Sequence, residues 1–161
     1  MVGQTLEAAT WAVLSAIPDP EIPVISLVDL GVIRHVRTAG NSVEIGVSPT
    51  YSGCPATEVI RKDIKAALLG AGINAFTLVD VLSPAWTSDW ITERGAEALR
   101  HYGIAPPVRG GVNAGGADAR TVCPRCASAD TERISEFGST PCKSLHRCKT
   151  CREPFEQFKC I

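Results

Sequence analysis

The chain has 161 residues, a formal net charge of −1, 45% hydrophobic residues and 20% charged ones. That balance suits a soluble protein with a buried core and excludes general disorder. Residues 1–107 carry seven Lys/Arg against eleven Asp/Glu and residues 108–161 nine against six, so neither half holds the dense basic patch of a nucleic-acid-binding protein.

No basic stretch followed by an apolar run opens the chain, and no run of about 18 apolar residues occurs, so the sequence reads as cytoplasmic with no membrane span. In that reducing compartment the seven cysteines are metal ligands or reactive thiols rather than disulfide partners.

In chain order, Leu6, Val13, Leu14 and Ile17, with Ala9 and Thr10 between them, follow a helical stripe that stops before Pro18. The next segment, "PDPEIPVIS", has prolines at 18, 20 and 23 and predicts a stiff extended loop. It carries a carboxylate pair, Asp19 and Glu21, suited to binding a metal, capping the preceding helix or simply being solvated.

"VIRHVR" and "SVEIGVS", either side of Thr38-Ala39-Gly40-Asn41, read as a hairpin, and Val43, Ile45 and Val47 alternate with polar or small residues. "TYSGCPATEV" then turns into a helix from Pro55, whose apolar positions Val59, Ile60, Ile64, Ala67 and Leu68 end at Gly70 and Gly72. "AFTLVDVL" reads as a third strand. "TSDWITERGAEALRHYG" reads as one more helix, capped by Thr87 or Ser88 and stopped by Gly103. Trp86 and Trp90 are expected to anchor a core.

Residues 1–107 therefore predict an α+β domain, a small mixed three-stranded sheet with packed helices. Residues 108–120, "VRGGVNAGGADAR", contain four glycines and predict a flexible linker. Residues 121–161 hold six cysteines and too few aliphatic residues for an unaided core, so a metal must staple them.

Cys123-Pro124-Arg125-Cys126 and Cys148-Lys149-Thr150-Cys151 are two C-x2-C knuckles separated by 21 residues. Each directs two thiolates at one ion, as in a zinc-ribbon-like β module. Zinc in a closed structural site is the first expectation; an iron or iron–sulfur centre and a disulfide scaffold are the alternatives. Cys142 and Cys160 read as additional ligands, a second site or packed thiols.

Cys54 stands apart, at the N-terminus of a helix, where the dipole and free N–H groups favour a thiolate. Thr50 is near enough in sequence to hydrogen-bond there. Burial as a small apolar residue is an equal reading. A hydrolase would need a base, and none of His35, His101 and His146 sits in a Cys-His signature.

"DPEIPVISLVDLGVI" together with the T-x3-C-P of "TYSGCP" resembles the metal–sulfur cluster biosynthesis domain of SufT-type proteins and of the targeting subunit of cytosolic iron–sulfur assembly. With "SPAWTSDWITERGAEALRHYGIAPP" and the cysteine-rich tail, nearly the whole chain resembles the accessory D subunits of bacterial phenylacetyl-CoA epoxidases. That resemblance implies an accessory, non-catalytic subunit that assists iron–sulfur or di-iron centre assembly during phenylacetate catabolism. Its implied partners are the oxygenase and reductase subunits and iron–sulfur assembly proteins, with self-association left open. It also carries Cys54, Thr50, Asp19 and Glu21 over as transient ligands, Cys123, Cys126, Cys148 and Cys151 as ribbon ligands, and Cys142 and Cys160 as part of the same tail pattern. Two other roles stay open at this stage: a scaffolding subunit with a zinc tail, and an electron-transfer component with a tail-bound iron–sulfur centre.

Overall fold

The computed structural model describes residues 2–110 and 121–161, with side chains from residue 5 onward. The contacts form two units, Met1–Trp86 and Thr87–Ile161. In the first, helix α1 (Val2–Ser15) is followed by strands β1 (Ile33–Ala39) and β2 (Ser42–Val47), helix α2 (Ala56–Gly70) and strand β3 (Phe76–Asp80). The sheet order is β1-β2-β3; β1 pairs antiparallel with β2 and β2 parallel with β3. This is the mixed three-stranded sheet that the alternation at 42–48 predicts.

Strand β2 is central and carries the core: Val43 and Ile45 are fully buried, as are Leu14 of α1 and Ile64 and Leu68 of α2. Each contributes about 1.5–3 kcal/mol relative to exposure. Glycine is required at position 46, because a Cβ there would lie 2.3 Å from the His35 ring on β1.

Residues 18–26 depart from the expected extended loop. The chain folds back on itself, with the Asp19 N–H donating to Ile25 O at 2.8 Å and the Leu27 N–H to Ile17 O at 2.9 Å. The prolines prevent helix, but Ile22, Ile25, Leu27 and Leu30 are at most 2% exposed, and burying four large aliphatic side chains outweighs local stiffness. Trp86 is buried as expected, its indole N–H donating to Leu30 O at 3.0 Å.

The second unit begins at Thr87, ahead of the boundary expected at residue 107. It contains a short 3-10 turn (Ser88–Trp90), helix α3 (Glu93–Tyr102) and strands β4 (Ile104–Ala105), β5 (Thr131–Ser135), β6 (Lys143–Cys148) and β7 (Pro154–Phe158). Its sheet order is β4-β7-β6-β5. Residues 87–107 join the tail for two reasons. Strand β4 pairs in parallel with β7. The Ser88 N–H and the Thr87 hydroxyl both donate to Ile161 O, at 2.9 and 2.7 Å.

The single helix expected at 87–102 is also broken in two. Thr87 caps the 3-10 turn, Ile91 is extended, and Thr92 caps α3 anew through Gly95 N–H, at 3.0 Å. Gly103 ends α3 in the left-handed region, φ 95°, as its position predicts. Trp90 is half-buried. Most of the expected linker, residues 111–120, lies outside the described residues.

Candidate metal centre

The two knuckles come together between the start of the tail and the β6–β7 turn. Cys148 ends β6 and Cys151 follows in that turn; Cys123 and Cys126 lie in a turn that precedes β5. Both knuckles have the same backbone form. The residue just after the second cysteine of each is left-handed, Ala127 with φ 61° and Arg152 with φ 66°, a conformation normally given to glycine. The Ala127 N–H donates to Cys123 O at 3.0 Å, and the Cys151 N–H points at Cys148 Sγ at 3.4 Å. A hydroxyl pair, Ser128 Oγ and Thr150 Oγ1 at 2.7 Å, ties one knuckle to the other.

All four sulfurs lie within 4.8 Å of one another. Zinc–sulfur bonds of about 2.3 Å in a tetrahedron require S···S separations of about 3.8 Å. The separations here are 3.8 Å for Cys123–Cys151 and 3.5 Å for Cys126–Cys148, so the donor set fits a four-coordinate ion.

Without a cation such a cluster holds protons unevenly. The Cys151 N–H and the Cys126 sulfur draw the Cys148 thiol down to about 6. Cys151 gains from the Glu153 N–H, but burial and the three neighbouring sulfurs push it up to about 12. A bound divalent cation removes that conflict by favouring four thiolates.

Cys142 and Cys160 do not join the cluster. Cys142 precedes β6 and is six residues from Cys148, about 20 Å away along a strand. Its sulfur instead meets Thr140 Oγ1 at 3.0 Å, and its carbonyl accepts from the Lys159 N–H at 2.9 Å. Cys160 follows β7 at that same far end, its thiol directed at Val108 O at 3.6 Å. The reading of these two as extra ligands of the four-sulfur centre is thereby corrected: strand length holds both away from it.

In the first unit, Cys54 is half-buried, one residue before Pro55, the N-cap of α2. Gly53 before it has φ 77°, and the Cys54 N–H donates to Tyr51 O at 3.3 Å. The turn thus presents the thiol beside the positive end of a 15-residue helix. Thr50 is half-buried on the same loop, and no hydrogen bond joins it to Cys54 among the described residues.

Asp19 is buried and serves as a local cap, its Oδ1 accepting the Glu21 and Ile22 N–H groups at 2.9 and 2.8 Å. Glu21 is half-buried beside it. Among the described residues, the four tail cysteines are the one group of three or more His, Cys, Asp or Glu side chains close enough to share an ion.

The family described as iron-sulfur cluster assembly protein matches residues 7–74, and the family described as PaaD zinc beta ribbon domain matches residues 108–159. The chain is 52% identical over 151 residues to a protein described as the D subunit of 1,2-phenylacetyl-CoA epoxidase from Escherichia coli (strain K12), covering 94% of this chain and 91% of that one. The chain belongs to the family of phenylacetyl-CoA epoxidase D subunits.

Among solved structures, a domain of unknown function from Bacillus anthracis is similar with a TM-score of 0.57 at 27% identity, over 62% of this chain and 95% of that one. A Mycobacterium tuberculosis protein described as associated with Fe–S complex assembly and repair is 32% identical over 61% of this chain and 86% of that one, with a TM-score of 0.34. This member of the epoxidase D-subunit family thus joins an assembly-type α+β unit to a zinc-ribbon tail whose four clustered cysteines fit a metal ion.

A further part of the ribbon escaped sequence reasoning. Lys143 is 4% exposed and pairs with Glu156 at 2.9 Å, while the Ser139 N–H and hydroxyl donate to the same carboxylate. Gly138 leaves room for it, since a Cβ there would meet Glu156 Oε1 at 2.5 Å. The only sequence signal was a glycine ahead of two polar residues, which is common in turns.

Proposed function

We propose that the chain is a non-catalytic accessory subunit of a phenylacetyl-CoA epoxidase system, assisting assembly of an iron–sulfur or di-iron centre in the oxygenase or reductase. The observation that carries this reading is the union, in one chain 52% identical to an epoxidase D subunit, of an iron–sulfur assembly domain and a four-cysteine ribbon. In this reading iron or a cluster is cargo, held transiently by Cys54 at the start of α2. Thr50, Asp19 and Glu21 are the further transient ligands in this reading, and Asp19 also caps the loop that carries Glu21.

The tail has a different task. Four cysteines complete a tetrahedral shell and leave no open coordination position, which is the arrangement of a structural zinc site. The ribbon then folds the second unit and docks an oxygenase, reductase or iron–sulfur assembly partner, and the first unit acts on the cargo.

Metal analysis and anaerobic visible spectra of wild type and Cys54→Ser test this division. Zinc near one equivalent is expected in both proteins, with iron-dependent colour in wild type after iron and sulfide are supplied and its loss in Cys54→Ser. Colourless wild type together with full complementation by Cys54→Ser of a strain lacking the native protein would overturn the cargo role and leave a scaffold with a zinc tail.

A further inference from the structure

We propose that Cys126 is the door of the four-sulfur centre, the one ligand at which the metal is exchanged and at which soft electrophiles and competing thiols attack first. The inference rests on the reading that the tail holds a metal, and it adds a site of modification within that shell.

The four ligands are chemically equivalent in sequence but not in the fold. Cys123 is 1% exposed and Cys148 is fully buried. With Ala105 and Phe155 they form the small hydrophobic cluster of the ribbon, and Cys151 packs against it. Cys126 stands outside that cluster and is exposed.

Backbone support follows the same division. Cys148 lies in β6 and its N–H donates to Glu153 O at 3.0 Å; the Cys123 N–H donates to Ser128 O at 2.9 Å. Cys126 belongs to a turn between exposed Arg125 and exposed, left-handed Ala127. A displacement at sulfur needs an open line of approach, and burial denies it at two of the four ligands and restricts it at the third.

The Cys126 thiolate attacks the methylene of iodoacetamide, an S–C bond forms, the C–I bond breaks and iodide leaves with its electron pair. No proton moves. The thioether formed is a far weaker ligand than a thiolate, so the metal–sulfur bond opens and a three-thiolate site remains. A competing thiolate from another molecule would enter by the same face, displacing Cys126 and not a buried sulfur.

The full-length zinc-loaded protein is treated with limiting iodoacetamide in the presence of a zinc-binding dye, and labelling is followed for each cysteine by peptide mass spectrometry. Among the four ligands, Cys126 should label at least tenfold faster than the others, and zinc release should share its rate constant, not that of Cys54 or Cys160. A Cys126→Ser protein, which starts with the three-thiolate site that alkylation produces, should give up zinc to the same dye without any iodoacetamide.

First labelling at Cys123, Cys148 or Cys151, or equal rates for all four while zinc is bound, would overturn the inference and leave the metal site standing. Failure of the wild-type tail to retain any zinc would overturn the metal reading and the inference together.

Discussion

Glu156 shows how a single residue can secure the ribbon. Partial burial pushes its carboxyl up, but the Ser139 N–H and the Lys143 ammonium outweigh this and hold it below the ordinary value of 4.5. A carboxyl depressed in the folded state contributes stability that is fully present above its unfolded value and lost as pH falls through the folded one. Glu156→Gln should therefore lower the unfolding free energy by about 2–4 kcal/mol near neutral pH, because it strands a buried ammonium. The difference from wild type should shrink below about pH 4.5; urea titrations across that range measure both effects. In the first unit, Gly46→Ala must push the His35 ring off the sheet and should cost about 1–3 kcal/mol, read from thermal unfolding. At this scale the four ribbon cysteines were legible because C-x2-C spacing is itself a geometric statement. The buried Lys143 was not, since lysine is almost always exposed and its partner lies across a strand pair.

The elements were legible wherever periodicity was strong. Helices α1 and α2 and the β1–β2 hairpin stand where the apolar spacing puts them. Two elements were not. The 18–26 segment was read from its prolines as extended, and tertiary burial of Ile22 and Ile25, with Leu27 and Leu30 just beyond, folded it back. The last helix was read as continuous because Thr92 resembles any other helix residue until its hydroxyl is seen to cap Gly95. Thr92→Ala should destabilise the second unit by about 1 kcal/mol in denaturant unfolding. Asp19 separates two roles at its loop. Asp19→Asn keeps an acceptor for both N–H groups and should fold normally, whereas Asp19→Ala should cost about 1–3 kcal/mol; if Asp19→Asn also abolishes maturation in cells, the carboxylate serves the cargo as well as the turn.

Across the whole molecule, composition separates an α+β part from a cysteine-rich tail after residue 107, while the contacts divide at Trp86 and Thr87. The pairing of β4 with β7 and the docking of Ile161 at Ser88 are long-range contacts with no local signature. That shift has a measurable consequence. Zinc removal by a strong chelator should melt α3 along with the cysteine-rich strands, while hydrogen exchange within residues 5–86 stays protected. The central claim, that the chain matures a metal centre through Cys54, is tested most directly in cells lacking the native protein and supplied with wild type or Cys54→Ser at equal abundance. The epoxidase oxygenase and reductase subunits are then purified and their iron counted. With Cys54→Ser at least a severalfold deficit of iron is expected in one of them; full iron occupancy in both would rule out a role for Cys54 in maturation.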